Sequence, residues 1–166
     1  MNKGPQIQHG TLEYTFKDGK VTEEMISGVK FVPQTNGKVH VLEVPREVEG
    51  SIPKNLYVAG IDGIDMGQED TSSSTRNPSD FCVVILRRAY GLNPPQIVAY
   101  YKDRPDKIKQ AHIMCLRLLQ WYNALACLES TRISLLQFFR EKKCENRYLM
   151  RRPRACLSDI QQGRSR

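Results

Sequence analysis

No hydrophobic run in the chain approaches the roughly 18 residues of a membrane-crossing helix, and the opening Met-Asn-Lys-Gly-Pro-Gln is too polar for a signal peptide. A cytoplasm is the expected compartment, with no membrane partner. Cysteine is sparse and unpaired in pattern. Cys82, Cys115, Cys127, Cys144 and Cys156 are scattered, odd in number and mostly set in apolar runs, which reads as reduced core thiols and not a disulfide framework or a zinc site. Histidine is scarcer still. His9, His40 and His112 lie far apart, and His112 falls within a helical pattern where a packed or surface role is the ordinary one.

What is present fits one domain with a real core, with room for an appended piece: 166 residues, 40% of them hydrophobic. The net charge of +7 is placed unevenly. From Arg140 to Arg166 nine basic residues face three acids, so six of the seven excess charges sit in the last 27 residues. Such a cluster marks either a polyanion partner, because each Lys or Arg that neutralises a phosphate releases counterions, or a solvated tail.

Residues 56–65, Leu-Tyr-Val-Ala-Gly-Ile-Asp-Gly-Ile-Asp, begin as an apolar run without alternation, the pattern of a strand covered on both faces. Asp62 is the first charge that the run meets. A carboxylate at the carboxyl end of a buried strand is costly unless it is paired or binds a cation, and ligand sites of open α/β sheets collect at those ends. The plainer alternative is that Asp62 only caps the turn at Gly63. A second run of the same grammar, Ala-Leu-Ala-Cys-Leu-Glu at 124–129, also ends on a carboxylate, Glu129.

Around these runs the order of elements can be read. In residues 1–50 an alternating stretch at 11–16 is followed by 28–32 and 38–44 flanking a Gln-Thr-Asn-Gly turn, which predicts a hairpin in a small connector or accessory sheet. The charged stretch 45–53, with Pro45, Pro53 and Gly50, reads as a linker. Residues 66–79 form a long polar loop, Asp80 precedes a strand at 81–86, and Asn-Pro-Pro turns the chain into another at 96–101. Pro105 and Asp106 suit the first turn of a helix. Ile108, Ala111, Cys115, Leu118, Leu119 and Tyr122 recur along it at helical spacing, a core-facing stripe. The helix returns the chain so that 124–129 can lie parallel to the strand at 56–62, by the usual right-handed crossover, with both acids on one edge. Ser130 or Thr131 then caps a helix over 133–143 with Leu135, Leu136 and Phe139 inward, and 146–150 is a candidate fifth strand. Two carboxylates brought side by side repel, and a divalent cation relieves them; oxygen ligands favour magnesium or manganese.

Three antiparallel strands, a helix, a parallel strand ending in an acid and another helix resemble the RNase H-like nuclease fold. The run 56–62, Asp80 before the second strand, Tyr-Lys-Asp-Arg-Pro-Asp at 101–106, Leu-Glu-Ser-Thr-Arg-Ile at 128–133 and Arg-Arg-Pro at 151–153 together are similar to the nuclease domain of a tailed-bacteriophage terminase large subunit. The resemblance spans roughly residues 50–155. It implies an α/β domain over 51–166 with flanking helices, preceded by a β-rich connector over 1–50, acting as a two-metal endonuclease on concatemeric viral DNA in the host cytoplasm. Two magnesium or manganese ions are implied, with Asp62 and Glu129 as catalytic metal ligands and Asp65 and Asp80 as accessory acids. Arg147, Arg151, Arg152 and Arg154 are the expected DNA-contacting residues. Double-stranded DNA, the small terminase subunit, the portal protein and an ATPase domain are the implied partners. The chain departs from the family in two ways. It has no Gly-x-x-x-x-Gly-Lys-Ser/Thr phosphate loop, and Asp159 is its only carboxylate after Glu145, with neighbours too short and polar for the family's acid-bearing helix. A C-terminal truncation with little or no activity of its own is the expectation. Two other readings remain: a non-catalytic module docking DNA or the portal through the basic segment, and another RNase H-like enzyme of the resolvase or transposase type.

Overall fold

The strands among the described residues form one mixed sheet. A computed structural model describes residues 6–17, 26–64, 79–128 and 133–150. Seven strands, β1 (Gln8–Phe16), β2 (Ile26–Pro33), β3 (Val39–Val41), β4 (Tyr57–Asp62), β5 (Phe81–Arg87), β6 (Gln96–Asp103) and β7 (Leu125–Leu128), lie in the order β2-β1-β3-β6-β5-β4-β7. The helices are α1 (Ile108–Tyr122), α2 (Ile133–Glu141) and the short α3 (Glu145–Tyr148). This is an α/β protein. Among the described residues every pairing between strands is antiparallel except β4 with β7, which run parallel from Val58↔Leu125 to Ile61↔Leu128. The crossover through α1 is what permits that one parallel pair.

The helical stripe packs as its spacing predicts. Ala111, Cys115, Leu118, Leu119 and Tyr122 are buried against Tyr57, Ala59, Ile61, Phe81, Val83 and Ile85 in a single core. Each Leu so buried contributes about 1.5–3 kcal/mol. Asn123 ends α1 in the left-handed conformation, φ 48°, and its Nδ2 donates to the Ile52 carbonyl at 3.1 Å. The helix starts later than its sequence suggests: Lys107 is the N-cap, and Asp106 stands outside the first turn. In α2 Leu135, Phe138 and Phe139 are buried, while Leu136 is half-buried. Phe138 replaces it because α2 meets α1 through His112, whose ring packs between Phe81 and Phe138 at 5.9 and 5.4 Å.

Three expectations are corrected. The strands of residues 1–50 extend the main sheet, since Val39↔Tyr101 and Val41↔Ala99 join β3 to β6. Nor do 28–32 and 38–44 form a hairpin with each other: β2 and β3 flank β1 on opposite sides. The chain steps across β1 at Gly10, which faces Pro33 on one ladder and Val39 on the other. Gly37 crosses so closely that a β-carbon on it would stand 2.3 Å from Gly10 Cα. The Gln-Thr-Asn-Gly turn does form, the Gly37 amide donating to the Gln34 carbonyl at 3.0 Å, but it carries the chain across β1 and does not join two paired strands. At 146–150, α3 occupies the place of the fifth strand, and only Leu149 bridges Ala126 in parallel, with the Met150 amide donating to the Ala126 carbonyl at 2.8 Å.

The stretch 45–53, read as a linker, is tied to the sheet. Arg46 donates its amide to Tyr57 Oη at 2.9 Å, and Tyr122 Oη donates to the Glu43 carbonyl at 2.6 Å. Arg87, with 7% of its side chain exposed, places Nε 3.2 Å from Glu43 Oε1, an ion pair without hydrogen-bond alignment. No helix among the described residues is long and apolar enough to cross a membrane.

Candidate metal and nucleic-acid site

Among the described residues, the strand β4 is covered on one face only. Tyr57, Ala59 and Ile61 are buried, whereas Val58 is half-buried and Gly60 and Asp62 are exposed. The absence of alternation in the sequence comes from Val58 and Gly60, neither of which is polar enough to mark a solvent side. Neighbouring strands repeat the asymmetry, with Phe81, Val83 and Ile85 buried and Cys82, Val84 and Leu86 half-buried on β5. Among the described residues α1 and α2 pack into the covered side, and the other side of the sheet is open.

Asp62 stands on that open side at the carboxyl end of β4. Its cross-strand partner is Cys82, whose partner on β6 is Lys102, so acid, thiol and cation form one transverse row. Burial pushes the Cys82 thiol up from its ordinary pKa, and the negative charge of Asp62 adds to it, with Lys102 opposing. Asp80, two residues before Cys82, is the diagonal neighbour of Asp62; such pairs on an antiparallel ladder lie about 7–8 Å apart. Lys102 Nζ holds Asp80 Oδ2 at 3.4 Å. The side chain of Asp80 therefore already has a cationic partner, and a metal ion there would compete with it.

The β4–β7 ladder reaches Ile61↔Leu128, one residue short of Asp62 on one strand and of Glu129 on the other. Glu129 itself lies outside the described residues, as do Asp65, Asp70, Ser130, Thr131, Arg151, Arg152, Arg154, Cys156 and Asp159. Among the described residues no cluster of three His, Cys, Asp or Glu side chains is close enough to hold a metal ion. Two hard oxygen donors meeting at a strand end suit magnesium or manganese better than zinc, but only Asp62 of that pair is described here. Arg147 is on α3, its guanidinium 5.2 Å from the Tyr148 ring centroid and exposed. His112 is buried among aromatic rings.

Sequence reading missed Lys102 and Cys82 as neighbours of Asp62. The signal that could have found them is parity: in a hairpin, Asp80, Cys82 and Lys102 share a face once the Asn-Pro-Pro turn sets the register. Also missed is the next row on the open face, His9, His40, Tyr100, Val84, Gly60 and Cys127, one residue from each strand from β1 to β7 except β2.

No protein-family model matches the chain, and no curated protein matches it.

Proposed function

We propose that this chain carries the nuclease centre of an RNase H-like domain, similar to that of a tailed-phage terminase large subunit, at the sheet edge where β4 and β7 end. The observation that carries the reading is the in-register parallel pairing of those two strands, Val58↔Leu125 to Ile61↔Leu128, each followed by an acid. The strand order β6-β5-β4-β7, with β5 antiparallel to both neighbours, supports it as well. A divalent magnesium or manganese ion held by Asp62 and Glu129 would relieve the repulsion between the two carboxylates. In two-metal phosphodiester cleavage, ions roughly 3.5–4 Å apart activate the attacking water and stabilise the leaving oxygen. Asp62, exposed on the open side of the sheet, is accessible to a phosphate. Cys82 and Lys102 flank it without blocking it, and Lys102 supplies positive charge beside the substrate path. Double-stranded DNA is the substrate in this reading, with Arg147, Arg151, Arg152 and Arg154 on its phosphates.

The experiment is manganese binding followed by the loss of the free-ion electron paramagnetic resonance signal. Wild-type protein binds manganese, and Asp62→Asn and Glu129→Gln each weaken the binding by tenfold or more. Unchanged binding in both variants returns Asp62 to a turn-capping role and removes the nuclease reading.

A further inference from the structure

The open face of the sheet carries an aromatic row that the metal reading does not use. His40 and Tyr100 stack with ring centroids 4.4 Å apart and planes 7° from parallel, and His9 meets His40 edge-on at 4.6 Å. These three come from β1, β3 and β6, paired directly as His9↔His40 and His40↔Tyr100. One ring face of Tyr100 is taken by His40, so the other is turned toward β5. There the row continues as Val84 and then Gly60, which is exposed and has nothing within 4 Å of where a β-carbon would stand. The row thus steps down from the Tyr100 ring through the shorter Val84 side chain to bare backbone at Gly60, and we read this step as a shallow trough. The adjacent row, one step toward the strand ends, places Lys102 and Asp62 in line, and Lys38 reaches the same corner, its carbonyl accepting the Lys102 amide at 3.4 Å. An aromatic wall, an apolar floor and two lysines, ending at the acid, form a surface for a planar base with its phosphate.

We propose that this trough binds single-stranded DNA, a nucleobase stacking on the free face of Tyr100 over Val84 and Gly60 while Lys38 and Lys102 engage the flanking phosphates. The inference deepens the nuclease reading and rests on it for the identity of the acid row, because it places an unpaired strand beside Asp62. Base–aromatic stacking is tolerant of sequence, so oligonucleotides of different composition bind alike. The charge complementarity supplied by the lysines favours a polyanion over an apolar helix. The histidines pack behind Tyr100 and hold its plane upright.

The test is fluorescence anisotropy of a labelled thymidine 12-mer and of a duplex of equal length, both in EDTA so that nothing is cut. Both bind, the duplex through the basic segment, and only the single strand responds to changes in the trough. Tyr100→Ala weakens it about tenfold, the scale of one lost base–aromatic stack, while Tyr100→Phe retains it. Because Tyr100→Ala removes a half-buried ring, Gly60→Leu is the second variant. Its side chain enters open space, leaves the melting temperature within a degree or two of wild type, and weakens the single strand to a similar extent. Wild-type affinity in both Tyr100→Ala and Gly60→Leu overturns the proposal, as does an equal loss of duplex binding in the two variants. A dimer that Gly60→Leu dissociates would assign this face to a second copy of the chain and also overturn it. Manganese binding is measured separately: its loss without loss of single-strand binding sinks the nuclease reading alone, and the converse sinks the trough alone.

Discussion

Replacing Asp62 with asparagine should separate a metal ligand from a turn cap. Asp62 is exposed, accepts no ion pair among the described residues, and sits one residue beyond the end of the β4–β7 ladder, as Glu129 does on its partner strand. In the proposed site, removing one of two neighbouring carboxylates without metal relieves repulsion of up to about 1 kcal/mol in high dielectric. The apo Asp62→Asn protein should therefore be as stable as wild type or slightly more so. With a divalent ion at ten times its dissociation constant, a ligand that binds only the folded state adds about 1.4 kcal/mol. For a chain of this size that is a rise of about 3–6 °C in melting temperature. The assay is thermal unfolding followed by circular dichroism in manganese chloride, against sodium chloride of equal ionic strength. Wild type should gain those few degrees in manganese and the variant about none, so that the order of stabilities reverses between the two buffers. Equal gains would refute the argument, and a variant already less stable than wild type without metal would point to a lost turn hydrogen bond.

The remaining expectations concern other parts of the molecule. Gly37→Ala drives a β-carbon onto the Gly10 backbone, which no rotamer can relieve, so the urea midpoint should fall by the equivalent of about 1–3 kcal/mol; an unchanged midpoint would mean that the passage across β1 is looser than described. Glu43→Ala leaves the Arg87 guanidinium buried and alone and should cost about 2–3 kcal/mol, below the range for a fully buried pair because Glu43 is 37% exposed, while Arg87→Met should cost less. Cys82 should alkylate slowly at pH 8, since burial and Asp62 both hold its thiol protonated. Asp62→Asn removes one of the three causes that raise that pKa, the others being burial and Asp80, and should speed the reaction, read peptide by peptide by mass spectrometry; the same rate in both proteins would place Asp62 too far away to act on the thiol. Neutralising two of Arg147, Arg151, Arg152 and Arg154 should reduce the slope of log binding constant for duplex DNA against log salt by about two, and an unchanged slope would make the basic segment a solvated tail.

Local chemistry determined much of this protein. The runs ending at Asp62 and Glu129, the strand beginning at Phe81, the strand beginning at Gln96 and the stripe from Ile108 to Tyr122 are legible because a period of two or 3.6, or a block of apolar residues between turn formers, reflects burial near the residue itself. The mixed sheet follows from their order, since a helix between two strands leaves room for a parallel return. Only the tertiary structure decided which edges met. Nothing near residues 28–44 says that β3 pairs with β6, because a strand's hydrogen-bonding groups are the same for any partner; in the order found, with β1 between β2 and β3, the chain passes close over Gly10 at Gly37. Nor could the run at 56–62 disclose that one face is open, since valine and glycine are as compatible with half-exposure as with a core. The neighbours of Asp62 were hidden for the same reason. Cys82, Lys102 and Asp80 are 18 to 40 residues away along the chain, and it is hairpin register, a property of two strands together, that sets them beside it.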